Sequence, residues 1–261
     1  MQTNRVKAAL KSGDAVSGPI LNEARSVTTV KIMALAGHDF LWFDMEHAMF
    51  DWETLLNLVQ MSLVCGITPL VRATDLSYPL VARAMDAGAQ GIIIPRVETR
   101  KQVEQAVSYV KYPPVGRRGA GGEGRYGYER KGVKAAVEEA NAESMVIIQV
   151  ETMLGLENLD EMAQVPGVDV VCVGPQDLSI ALELPGDREH PRFIEAVQHV
   201  ITVCARRGVA SGMVEREAAN FRLWHDLGAR FFACNTDANM VAQAAARDVE
   251  TLRGFTRPKN A

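Results

Sequence analysis

Eight short runs of continuously apolar, largely β-branched residues recur along the chain, and no other feature constrains its fold more. They lie at residues 15–21, 39–44, 67–72, 90–95, 144–151, 168–174, 209–214 and 229–235. A strand that is apolar on both faces must be covered on both, which implies a parallel sheet under helices. Between most of the runs the apolar spacing turns helical, as in VTTVKIMALAG and RFIEAVQHVITVCARRG. Gly37, Gly66, Gly88, Gly208 and Gly228 end such segments just before a strand, where a helix terminus takes a left-handed residue. Eight strand–helix units in 261 residues predict an α/β chain folded as one (β/α)8 barrel domain over residues 1–261, with a doubly wound open sheet as the alternative.

Composition removes several function classes. The formal net charge of −4 lacks the basic excess of a nucleic-acid partner. No apolar run approaches the roughly 20 residues that span a bilayer, and the first residues, MQTNRVKAALKSG, lack the apolar stretch of a secretory signal, so neither membrane nor export is expected. The four cysteines show no close CxxC spacing. Cys172 and Cys234 read as small core residues, zinc is not expected, and a reducing cytoplasm is the natural setting.

In a barrel of this kind the side chains just past the carboxyl ends of the strands converge on one mouth. The second strand delivers Asp44, Glu46 and His47, the third ends on Arg72, the fifth on Gln149 and Glu151, and the sixth runs through Gly174 and Pro175 to Asp177. Singly, each has a structural explanation: Asp177 as a helix cap, Glu151 as the start of a helix, His47 as a solvated loop residue, Arg72 as half of an ion pair. Together they suit one chemistry. Two carboxylates with open positions are the oxygen set of Mg2+ or Mn2+, and the carboxylate and keto oxygen of a 2-oxo acid fill such positions. The cation and Arg72 would stabilise an enolate, with His47, held by Asp44, as acid/base. None of the eight lysines falls in a strand or at its carboxyl end, which disfavours a Schiff base.

The stretch 111–132, rich in Gly, Arg and Tyr, is expected to form a loop. Its GAGGEG (119–124) matches G-x-G-x-x-G but has no strand before it and no helix after it, so a nucleotide site is not indicated. Arg117, Arg118 and Arg125 point instead to a basic lid over an anionic substrate.

With these residues in place, the chain resembles the HpcH/HpaI family of metal-dependent 2-oxo acid aldolases. The resemblance runs through ALAGHDFLWFDMEH (34–47), PLVR (69–72), AMDAGAQGIIIPRVET (84–99), YPPVGRRG (112–119), IIQVET (147–152), ENLDEMAQVPGVDVVCVGPQDLS (157–179) and HP (190–191). It implies reversible cleavage of a 4-hydroxy-2-oxo acid to pyruvate, or an analogue such as hydroxypyruvate, and an aldehyde, through a metal-bound enolate. By the same resemblance Glu151 and Asp177 hold Mg2+, Mn2+ or Co2+, and Arg72 binds the pyruvate end. Asp44 and His47 act as the base through a water. Gln149, Gly174, Pro175 and Val214 shape the pyruvate pocket, with Glu46 and Asp86 as supporting acids. The resemblance further implies a homo-hexamer with a C-terminal helix swapped between subunits. Departures at Asn22 and Glu23, at Asp75–Leu76–Ser77, in the glycine-rich loop and at CNTD (234–237) fall where the aldehyde or the lid would be. The alternatives are a related lyase or decarboxylase using the same enolate, and a non-catalytic barrel that binds a small acid.

Overall fold

The computed structural model describes residues 2–121 and 132–256. Eight parallel strands close into one barrel in sequence order: β1 (Val16–Leu21), β2 (Phe40–Asp44), β3 (Thr68–Arg72), β4 (Gly91–Ile94), β5 (Met145–Val150), β6 (Val170–Val173), β7 (Ala210–Glu215) and β8 (Phe231–Thr236). Each expected run carries one strand, and β8 pairs back onto β1, so the open sheet is excluded. Helices α1 (Arg5–Ser12), α2 (Val27–Leu35), α3 (Trp52–Cys65), α4 (Tyr78–Asp86), α5 (Arg100–Val110) and α6 (Val133–Glu143) belong to the first half. The second half holds α7 (Met153–Glu157), α8 (Leu159–Ala163), α9 (Pro175–Ala181), α10 (Pro191–Arg207), α11 (Ala218–Leu227) and α12 (Asp237–Thr256). All five helix-ending glycines have positive φ, from 68° at Gly208 to 115° at Gly228.

Two cores follow from the period-2 alternation of the strands. Outward residues such as Leu41, Val71, Ile148 and Val171 pack under the helices, whereas inward Phe40, Trp42, Leu70, Ile147, Cys172 and Phe231 fill the barrel. Phe40 and Phe231 stack at 4.5 Å between ring centroids. That stack needs glycine across from it, because a Cβ on Gly18 would lie 2.5 Å from a carbon of the Phe40 ring. Below it, α1 lays the buried Val6 against the barrel core. Asn4 fastens that helix, donating its side-chain amide to the carbonyls of Gln90 at 3.1 Å and Glu143 at 2.9 Å. The barrel is therefore solid at one end. Cys234, expected in the core, is only partly buried, because its place on β8 turns it outward beside His38.

No described helix is long and apolar enough to cross a membrane. The stretch expected as a lid is described as far as Gly121; Gly122 to Gly124 and Arg125 lie outside the described residues. Its described part packs on the outer helical ring. The Arg117 guanidinium lies 4.8 Å from the Tyr109 ring centroid, and Arg118 donates to Asp86 Oδ1 at 2.6 Å. Neither arginine lines the mouth, because the segment leaves the end of α5 and folds back on it through Arg117 N–H to Ser108 O, 2.8 Å.

Candidate active site

The inward face changes from apolar to polar one layer above the core. Asp44 follows Trp42 on β2, Arg72 follows Leu70 on β3, and Gln149 follows Ile147 on β5, each two residues on and so on the same face. Asp44 and Arg72 are register partners on adjacent strands. The arginine fork meets the carboxylate with two bonds, Nε to Oδ1 at 2.9 Å and Nη2 to Oδ2 at 2.6 Å. Its third nitrogen, Nη1, reaches Glu46 Oε2 at 3.1 Å and Gln149 Oε1 at 3.3 Å. The guanidinium also lies 5.4 Å from the Trp42 ring centroid. Burial works against this charge, but Asp44, Glu46 and Glu151 more than offset it and leave the pKa raised. Arg72 is a fixed cation on the cavity floor.

Glu151 continues the same network. Its Oε2 accepts from the Gln149 amide at 3.3 Å and its Oε1 from the backbone N–H of Arg96 at 2.8 Å. Burial raises its pKa, the Arg96 hydrogen bond lowers it, and the charges of Asp177 and Glu46 raise it again, to about 7. Gly174 provides the space for this carboxylate, since a Cβ there would stand 1.9 Å from Oε2. Asp177, in the first turn of α9, is exposed and lines the same cavity. The described residues include no group of three or more His, Cys, Asp or Glu arranged to hold a metal. One deep carboxylate whose Oε2 has only a weak amide partner, with a second exposed one on the same cavity, fits a hard divalent cation that keeps several non-protein oxygens.

A cavity of about 370 Å³ gathers Asp44, His47, Arg72, Gln149, Glu151, Gly174, Pro175, Asp177 and Val214. Two of the expected residues sit differently. Asp44 does not hold the His47 imidazole, because both its oxygens are taken by Arg72; Oδ1 also accepts the backbone N–H groups of Glu46 at 3.0 Å and His47 at 3.2 Å. Asp44 therefore shapes the turn that carries His47, and the carboxylate beside the exposed ring is Glu46, 3.7 Å from Nε2. Asp86 does not line the mouth. It ends α4, and helices run antiparallel to the strands, so that helix end is remote from the strand tips.

Sequence reasoning passed over Arg96, Arg188 and Arg216. Arg96 and Arg216 follow strand ends by one or two residues, and the strand-tip rule that found Arg72 would have found them. Arg188 stands in the connection between α9 and α10, where no periodicity marks it. Asn22 also lines the cavity, and its Oδ1 is buried without a hydrogen-bond partner among the described residues.

Comparison with known proteins gives the chain's relatives. The family model described as HpcH/HpaI aldolase/citrate lyase matches residues 22–244. The 2-keto-3-deoxy-L-rhamnonate aldolase of Salmonella typhimurium is 32% identical over 246 residues, covering 93% of this chain and 90% of that protein. The hydroxypyruvate/pyruvate aldolase of Roseovarius nubinhibens is 32% identical over 253 residues, covering 96% and 97%. A solved HpcH/HpaI aldolase from Desulfitobacterium hafniense superposes with a TM-score of 0.92 at 32% identity, covering 98% of each chain.

Proposed function

The chain belongs to the HpcH/HpaI aldolase/citrate lyase family and is an aldolase, and from that premise we propose its reaction and the part each residue plays. The substrate is a 4-hydroxy-2-oxo acid, cleaved reversibly to pyruvate or hydroxypyruvate and an aldehyde. The observation that carries this reading is the pairing, on one cavity floor, of a fixed guanidinium with a buried carboxylate bridged to it by Gln149.

Glu151 and Asp177 are the residues that would hold Mg2+, Mn2+ or Co2+, which when bound polarises the 2-oxo group. Arg72 donates to the C2 oxygen as negative charge gathers there, and loss of such a donor costs about 10²- to 10³-fold in rate. Asp44 and Glu46 keep its fork in one orientation, and Gln149 spaces it from Glu151. His47 takes the proton of the C4 hydroxyl, directly or through a water. The C3–C4 bond breaks, its electrons move to the C2 oxygen, and the aldehyde departs. The proton returned to C3 gives the methyl group of pyruvate. Gly174, Pro175 and Val214 wall this pocket from bulk water.

Assembly is part of the proposal. Val249, Leu252 and Phe255 are exposed on α12. An apolar surface on a helix of 20 residues supports its docking on a neighbouring subunit, with a homo-hexamer as the assembly. Four free cysteines and small soluble substrates suit the cytoplasm.

Deuterium exchange into the methyl group of pyruvate, followed by NMR with Mg2+ and then with chelator, tests the reading without any knowledge of the aldehyde. Cation-dependent exchange is expected. Absence of exchange under both conditions rejects pyruvate as the donor.

A further inference from the structure

Two guanidinium groups share the cavity with the reacting centre and take no part in the chemistry above. Arg188 lies in the connection between α9 and α10, Arg216 directly follows β7, and both line the mouth. Neither is well matched by an acid. For Arg188, whose side chain is 24% exposed, the ion pair to Glu215 Oε1 is 4.0 Å long, and its Nη2 donates to Gln176 Oε1 at 3.4 Å. Glu215 is committed elsewhere: Oε1 accepts the backbone N–H groups of Arg216 and Glu217 at 2.8 and 3.0 Å, and Oε2 accepts the Trp224 indole N–H at 3.0 Å. Arg216 is exposed, and its side chain enters no ion pair or hydrogen bond among the described residues.

The two cations also act on each other. Burial lowers the pKa of Arg188, Glu215 offsets part of that, the like charge of Arg216 lowers it further, and Glu217 restores a smaller part. Arg72 differs, its charge being matched by Asp44 at 2.6 Å and Glu46 at 3.1 Å. Two neighbouring guanidiniums with weak acid partners on a cavity wall are disposed to grip an oxyanion through charge-assisted hydrogen bonds.

Position decides which part of the substrate would carry that anion. Gln149 and Glu151, at 1% and 3% exposure, form the floor and face the 2-oxo acid end, whereas Arg188 and Arg216 are the more exposed. We infer that Arg188 and Arg216 bind a carboxylate or phosphate on the aldehyde half of the substrate, so that the natural acceptor is an aldehyde bearing its own negative charge. This rests on the aldolase reading above and narrows its substrate class.

The test is condensation of pyruvate with succinic semialdehyde, glyceraldehyde 3-phosphate, propionaldehyde and glycolaldehyde by wild type, Arg188→Gln, Arg216→Gln and the double variant. A charge-assisted hydrogen bond worth about 1.5–3 kcal/mol converts to roughly a 10- to 100-fold preference. Wild type should favour one charged aldehyde over both neutral ones by that factor in kcat/KM, and the double variant should lose most of the preference. The charged aldehyde that wins distinguishes carboxylate from phosphate. Equal use of neutral and charged aldehydes by wild type, or a preference that survives in the double variant, overturns the inference. Pyruvate exchange in D2O on the same wild-type preparation separates the failures. If exchange is absent, pyruvate falls as the donor; if it is present without a charge preference, only the assignment of Arg188 and Arg216 falls.

Discussion

Arg96 holds Glu151 from the main chain, donating its backbone N–H to Oε1 at 2.8 Å from a left-handed conformation with φ of 49°. Its guanidinium reaches Glu46 Oε1 at 2.7 Å, and Glu46 in turn pairs with Arg72 at 3.1 Å. One residue thus couples the floor carboxylate to the arginine across from it. Left-handed backbone costs an ordinary residue about 1–2 kcal/mol, and a β-branched residue tolerates it poorly.

Arg96→Gly keeps the N–H and the left-handed turn, whereas Arg96→Val keeps the N–H but resists the turn. Mn2+ affinity, read by calorimetry, should stay within about threefold of wild type in the glycine variant and fall about tenfold or more in the valine variant. Equal affinities in the two would show that the backbone donor does not position Glu151.

The burial that lifts Glu151 to about 7 from its ordinary 4.5 also sets a pH slope. Between those values the folded, cation-free protein keeps a proton that the unfolded chain has lost, so stability falls as pH rises through the window. The loss, on the order of 3 kcal/mol, is complete above it. In chelator, Glu151→Gln should therefore melt above wild type at pH 8 and close to it near pH 5, and added Mn2+ should raise only the wild type. A melting difference independent of pH would contradict this.

Gly174→Ala places a methyl 1.9 Å from Glu151 Oε2, so the carboxylate or the start of α9 must move. The expected result is a folded protein weakened by about 1–3 kcal/mol with Mn2+ binding lowered at least tenfold, roughly the effect of disturbing a ligand's support. Wild-type Mn2+ affinity in this variant would mean that Glu151 is free to relocate.

Lys111 supplies a pH effect away from the mouth. Its Nζ donates to the carbonyls of Asn141 at 2.7 Å and Ser144 at 2.6 Å, yet burial, and after it the charge of Lys7, lowers its pKa from 10.5 to about 7. The unfolded chain keeps this proton up to the higher value, so stability rises with pH across the window between them. Urea midpoints of wild type should gain on those of Lys111→Met between pH 7 and 9.5. A constant difference would mean that the ammonium persists in the fold.

The barrel was legible because eight continuously apolar runs and five terminal glycines each carry one physical meaning, and each fell where a strand or a helix end stands. Strand tips then located Arg72, Gln149 and Glu151, since alternation fixes which way a strand residue points. Direction fails beyond the last strand residue. Asp44 and His47 are three apart in a turn, and spacing alone did not reveal that the carboxylate faces Arg72 while Glu46 stands by the ring. Asp86 lies off the mouth of its own barrel for a related reason: an acid at a helix end is set by the length of its helix, which carries it away from the strand tips. Arg188 had no periodic context at all, and its approach to Arg216 depends on the path of an irregular connection.

The stacked Phe40 and Phe231 have a kinetic consequence. Because the barrel is filled beneath Arg72, the mouth is a cul-de-sac, and whatever binds at the floor cannot leave past an occupant of the rim. With the proposed 2-oxo acid at the floor, the aldehyde should depart before pyruvate in cleavage, and pyruvate should enter first in condensation. On that reading the order of addition would be compulsory, imposed by two aromatic rings of the barrel core.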